Sequence, residues 1–320
     1  MSLAAAQERA AELNVISRKQ RSLWQDARYR FVRNRAAMFG LVVIALAGLL
    51  AIFAPVIAPY DPTATFTAGG RQAPTLADPF WAGTKYVDPR YALGTDQIGR
   101  DILSRLIWSS RVSMVVGFVP VAIVFLIGVS VGMLAGYHGG WIDQILMRIT
   151  DVVYAFPDLL FLIIIFATLR THPIGDLMGG LVLMFAGIAI VNWVGMARLV
   201  RGQVLSLKEK EYVEAARAIG APATRIMSRH LLPNALGPVV VAVAFGIPSA
   251  MLAEGTLSFI GVGIRPPTAT WGVMINEGYQ VFSTSPWPVL MPAACIAVVM
   301  LAFTFVGDGI RDAIDPRMKI

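Results

Sequence analysis

The sequence predicts an all-α integral membrane protein with six transmembrane helices. Three observations carry that reading: a mean hydropathy of +0.65, a charged fraction of only 15%, and basic residues gathered in short blocks between long apolar runs. An ordinary soluble domain carries roughly 25% charged residues, so the composition argues against a soluble globule. The net charge of +7 is not spread over a hydrophilic surface; it has the pattern of membrane topology, and nucleic acid is not an expected partner.

A helix needs roughly 20 predominantly apolar residues to cross the bilayer. Six runs qualify, at 37–58, 113–136, 152–169, 177–197, 236–260 and 288–306. The first follows a polar segment, 1–36, and is too long for a signal-peptide core, so it reads as an uncleaved anchor. The third is the shortest and carries Pro157, which predicts a kink. The lone cysteine, Cys295, falls in the sixth run and has no partner for an intramolecular disulfide.

An even number of spans puts both termini on one side, and lysine and arginine decide which. With the termini inside, 19 basic residues lie inside and 8 outside. Both termini, 1–36 and 308–320, are therefore expected in the cytoplasm. The segment 59–112 is then the largest external piece. Its early part, rich in Pro, Gly, Thr and Asp, predicts an irregular loop. Its later part, 100–108, places Ile102, Leu103, Leu106 and Ile107 on one helical face and Arg100, Ser104 and Arg105 on the other. That pattern predicts a short helix lying on the membrane surface.

The remaining segment, 113–307, forms a five-helix core interrupted by a long, charged loop at 209–233. Tyr212, Ala215, Ala216 and Ile219 follow helical spacing on one side, with Glu211, Glu214 and Arg217 on a neighbouring polar side. Gly220 suits the left-handed residue that ends a helix, and Pro222 the first turn of the next. The loop reads as helix, break, helix. Its alanines let another protein surface approach the backbone closely, and Glu214 can anchor nearby donors.

The series Glu214-Ala215-Ala216, then Gly220, then Leu232-Pro233 resembles the EAA loop of bacterial ABC importer permeases. LGTDQIGRDILSR from Leu93, GYHGGWIDQILMRITD from Gly136, LSFIGVGIRPPTATWG from Leu257 and RFVRNRAAMFGLVVIAL from Arg30 narrow the resemblance. Together they are similar to the C-type subunit of the dipeptide, oligopeptide and nickel permease family. His230 departs from the broader importer pattern but is usual in the peptide subfamily. The stretch 67–90 looks longer than usual, and the resemblance does not explain it.

The resemblance implies a type I ABC importer permease in a bacterial inner membrane, with no catalytic residue and no cofactor of its own. ATP and Mg would be bound by two partner ATPase subunits, a homologous second permease would complete the pore, and an extracytoplasmic binding protein would deliver solute. It implies docking to the ATPase by a coupling helix that includes Tyr212, Glu214, Ala215, Ala216 and Gly220, in a loop that runs on through His230 and Pro233. Ala216→Arg is therefore expected to uncouple transport. Peptides are the leading substrate class, with nickel complexes, glutathione or other small solutes as alternatives. The chain has no G-x-x-x-x-G-K-[ST] loop with which to hold a nucleotide itself.

Other residues are weighed one by one. Glu254, inside the fifth span, either lines the pathway or a gate, or pairs with a donor on a neighbouring helix. Arg148 and Asp151 have ion-pair spacing on a helix. Asp96, Arg100 and Asp101 either contact substrate or the binding protein or serve as turn and interface anchors, and the sequence favours neither. Trp271, Tyr279 and Trp287 are expected in an aromatic belt at the headgroups. His138, His172 and His230 are too scattered for a metal site. An ion-driven secondary transporter is the rival class; Pro120, Pro157 and Pro248 would supply its helix breaks, but it leaves the EAA loop unexplained.

Overall fold

The computed structural model describes residues 23–65 and 90–314. Most of the long loop, 66–89, lies outside the described residues, and so does the unexplained extra stretch within it. The described residues are helical apart from turns and one isolated bridge between Thr95 and Asp101.

Helix α1 (Leu23–Arg33) is short and basic, and Asn34 separates it from α2 (Arg35–Ile52). The Asn34 side chain accepts a hydrogen bond from Ala37 N at 3.1 Å, a side-chain cap that satisfies one free amide of the new helix. Helix α2 is the first apolar crossing, and a one-turn helix, Ala54–Ile57, ends it.

The second crossing differs from the sequence reading. Residues 102–108 form no separate surface helix; they are the first turns of α3 (Ile102–His138), which runs for 37 residues. At 1.5 Å per residue that is about 55 Å. No glycine or proline separates Trp108 from Ser113, so nothing stops the helix where the apolar run begins. Nor is 102–108 amphipathic in place, because Ile102, Ser104 and Arg105 are all buried. Asp101 caps α3, accepting from Ser104 N at 2.8 Å.

The third run does not form one straight helix. Helix α4 (Gly140–Tyr154) and α5 (Asp158–Leu169) meet at a 77° bend beside Pro157. The predicted kink is there, but the apolar run 152–169 straddles it. Two further turns lead to α6 (Leu181–Leu207), which outlasts its apolar run by two to three turns. Next come α7 (Glu211–Ala218), a turn and a π-helical stretch (Ala223–Arg225, Ile226–Leu231), and α8 (Leu232–Ile260). The chain closes with α9 (Trp271–Tyr279) and α10 (Trp287–Ile314). Five of these helical stretches are long and apolar enough to cross a membrane, and the bent α4–α5 pair, taken together as one broken span, brings the count to six.

Among the described residues the most extensive helix–helix contact is between α3 and α6. Gly128, Gly132 and Gly136 stand one above another on α3, four residues apart. A Cβ on Gly132 would lie 2.5 Å from Ala197 O, and one on Gly136 would lie 2.8 Å from Val204 Cβ. The missing side chains let the two backbones close on each other, which is how helices associate where lipid supplies no hydrophobic drive.

Candidate functional site

At one pole of the bundle the chain leaves α6 and folds into a compact hook. Lys210 turns it into α7, and acidic Glu211 and Glu214 sit in the first turn, where they complement the helix N-terminus. Val213 and Ala216 are three residues apart and share the inner face, packed into a cluster with Val204, Ile226 and Leu231. Gly220 ends the helix with φ +77°; its N–H donates to Arg217 O at 2.9 Å, and Ala221 N donates to Ala216 O at 3.0 Å. This paired closure needs a left-handed residue at Gly220. Pro222 then caps the following turn, one position before its first helical residue.

The hook is tied to the bundle elsewhere as well. The Arg217 guanidinium lies 5.8 Å from the centre of the Tyr137 ring, near the end of α3, and Lys208 Nζ donates to Gly136 O at 3.2 Å. His230, half-buried in the π-helical stretch, stands 6.4 Å from the Tyr212 ring. Pro233 is exposed in the first turn of α8.

These contacts redistribute the residues of the expected docking face. Tyr212, Glu214, Ala215 and Gly220 are exposed, and Ile219 is 85% exposed, an uncovered apolar side chain at the tip. Ala216 is 5% exposed and turned into its own chain. It helps seat the hook and does not present a surface to a partner, so Ala216→Arg tests folding and not docking. Helical spacing alone groups Ala216 with Tyr212, Ala215 and Ile219, whereas in the fold it shares the inner face with Val213.

Below the hook, α4 is pinned to α6 by charge. Arg201 makes a two-pronged ion pair with Asp143 at 2.5 and 2.6 Å, and Arg198 Nη2 pairs with Asp151 at 2.7 Å. The expected partner of Asp151, Arg148, is not the one used, because tertiary packing brings Arg198 closer.

The opposite pole holds a cluster that sequence reading saw only in part. Asp96 Oδ2 accepts from Arg100 Nε and from Arg105 Nη1, each at 2.6 Å. Glu277 Oε2, from α9, accepts from the same two arginines at 2.7 and 2.6 Å. Arg105 is 2% exposed, and its Nε is buried without a hydrogen-bond partner. Gln97 also donates to Glu277 O. Four alternating charges thus fasten α9 to the start of α3. Asp96, Arg100 and Arg105 stand out in the sequence; Glu277, 172 residues beyond Arg105, does not.

The aromatic-belt expectation is corrected here. Trp271 and Trp287 are buried and form no belt; Trp271 Nε1 donates to Leu106 O at 3.1 Å, while Tyr279 is exposed. Glu254 is 2% exposed, and its Oε1 accepts from Ser258 Oγ and Thr270 Oγ1, both at 2.7 Å. One donor lies on its own helix and the other, Thr270, is the cap of the neighbouring helix α9, so the pairing alternative is the one the structure supports.

Six apolar crossings with an exposed helix-glycine-helix hook at one pole define a transmembrane permease of the type I ABC importer fold. Solved structures share that fold. A structure of the MetNI methionine ABC transporter in an inward-facing conformation superposes with a TM-score of 0.51 at 18% identity, covering 67% of this chain and 98% of that one. An amino acid ABC transporter crystallised with histidines gives 0.50 at 18% identity, covering 65% and 92%. The chain belongs to the family of binding-protein-dependent transport system inner membrane components, which matches residues 128–320. Residues 22–74 match the N-terminal TM domain of oligopeptide transport permease C. Similar relatives include the oligopeptide transport system permease protein OppC of Bacillus subtilis, 38% identical over 97% of this chain and 95% of the relative. The dipeptide transport system permease protein DppC of the same organism is 38% identical over 98% and 92%, and OppC of Escherichia coli is 38% identical over 93% and 92%.

Proposed function

We propose that this chain forms one half of the membrane pathway of a peptide importer whose ATP is hydrolysed by separate subunits. The observation that carries the reading is the exposed hook, 211–233, in a chain that aligns along nearly its whole length with permeases named for oligopeptides and dipeptides. Partners follow from that architecture: a homologous second permease, two ATPases that hold ATP and Mg, and a binding protein that delivers solute. The excess of basic residues on the hook side supports placing the hook and both termini in the cytoplasm of a bacterial cell, and the Asp96–Glu277 pole outside.

The mechanism is a population shift between two packings of the same spans. When ATP draws the two ATPases together, Tyr212, Ala215 and Ile219 ride on the surface that moves. Because α7 is packed through Val213 and Ala216 and pinned at Tyr137 and Gly136, the movement passes to α3 and α6 and is not absorbed by a loose loop. Rigid transfer of this kind is how a small displacement at one interface becomes a rearrangement elsewhere.

The test is affinity purification of the tagged chain from its native membranes, with ATPase assays and peptide uptake in proteoliposomes supplied with the binding protein. Two ATPases and a second permease that co-purify, hydrolyse ATP and accumulate peptide support the reading. Uptake of nickel, glutathione or another small solute in place of peptide refutes the substrate class, and a chain that stays alone refutes the importer.

A further inference from the structure

Near the midpoints of α3, α6 and α8 the three helices leave a cavity of about 270 Å³. Its wall is apolar except for Asn192 of α6 and Ser249 of α8, and no charged residue lines it. Each polar side chain makes one bond to its own helix, Asn192 Nδ2 to Ile188 O at 2.8 Å and Ser249 Oγ to Phe245 O at 2.9 Å. Both residues are exposed all the same. One turn beyond Asn192, a Cβ on Gly195 would meet nothing within 4 Å, so the cavity opens there.

An amide at this depth is costly to leave against hydrocarbon, so polar groups within spans face protein or a water-filled path. The Asn192 bond leaves a carbonyl oxygen and a second N–H free of any described partner, and these are the acceptor and donor that a peptide group complements. The charges farther along α6, on Arg198 and Arg201, are taken up by Asp151 and Asp143. Nothing in the wall can therefore select for or against a charged solute by direct pairing.

We propose that this cavity is a substrate-contact station, in which Asn192 and Ser249 hold the main chain of a passing peptide and ignore its side chains. The proposal rests on the peptide-import reading above. It names a neutral, amide-matching wall as the reason one permease could pass peptides of differing charge.

The experiment uses the assembled complex in proteoliposomes with its binding protein and three size-matched tripeptides, one acidic, one basic and one neutral. Asn192→Leu is expected to lower uptake of all three by a common factor of about ten, the worth of one hydrogen bond, while the complex still assembles. In a Cys295→Ser background, Ser249→Cys is expected to react with a membrane-impermeant thiol reagent at a rate that changes with ATP. Loss confined to one tripeptide, or no loss, overturns the main-chain role. A Ser249→Cys thiol that reacts only when the second permease is absent overturns the station and makes this face a permease–permease contact. Wild-type complex that takes up none of the tripeptides, yet shows the ATP-dependent labelling, overturns the peptide class on which the proposal rests.

Discussion

Replacing Arg105 by methionine removes the most deeply buried charge of the four-charge cluster while keeping most of the side chain's apolar stem. Arg105 Nη1 holds Asp96 and Glu277 together at 2.6 Å each. Hydrogen bonds to charged groups are worth about 1.5–3 kcal/mol apiece, and breaking a buried ion pair costs about 3–5 kcal/mol. The structure argues for the lower end. Asp96 keeps Arg100 Nε and the amides of Ile98 and Arg100, and Glu277 keeps Arg100 Nη2 and is 24% exposed. The variant also relieves the unpartnered Nε. A loss of about 3 kcal/mol remains, which by the usual scaling lowers a melting midpoint by roughly 6–12 °C. The assay is thermal denaturation of the purified complex, followed by loss of its monodisperse peak. A cycle with Glu277→Gln isolates the pair: the double variant is expected to be less destabilised than the sum of the two single variants, because one change leaves the other group little to lose. A midpoint within 2 °C of wild type for Arg105→Met, or strict additivity in the cycle, refutes the claim that this cluster fastens α9 to α3.

Ile219→Asp puts a charge on the exposed tip of the hook and is expected to abolish stimulation of ATPase activity by the loaded binding protein, with the permease still present in the membrane at wild-type level; stimulated activity intact would refute docking through the tip. Ala216→Arg forces a long charged side chain into the packed inner face, so it is expected to lower the amount of folded chain itself, measured as membrane content after detergent extraction. Glu254→Gln keeps an acceptor for Ser258 and Thr270 and is expected to behave as wild type, whereas Glu254→Leu strands two buried hydroxyls at about 1–3 kcal/mol each; equal thermal stability of the two variants would refute the structural role. Gly132→Leu is expected to separate α3 from α6 and reduce the folded yield severely, checked against Gly48→Leu, where a Cβ meets nothing within 4 Å.

What could be read without a structure was what neighbouring residues decide among themselves. Apolar runs give spans because lipid allows only helices with internally satisfied backbones to cross. Pro157 and Gly220 announce a bend and a helix end through restrictions on their own backbones, and both are where the sequence placed them. The glycines of α3 at four-residue spacing were legible by the same logic and went unread. The Arg105–Glu277 pair left no local signal of any kind.

The sequence by itself determined an all-helical membrane protein, its apolar crossings and the hook, because each follows from hydropathy, turn chemistry and spacing within one or two turns of chain, and motif resemblance added the permease family. Only the tertiary structure decided that α3 begins eleven residues before Ser113, that Asp151 is paired with Arg198, that Trp271 is buried and that Ala216 faces inward. These outcomes depend on which helix lies beside which, and on how each is turned about its axis. A rotation of one residue, 100° about a helix, exchanges a docking face for a packed one at no cost to the periodic pattern. The choice is made by the close fit of Gly132 to Ala197 and of Val213 to its cluster, and that fit exists only once the helices have met.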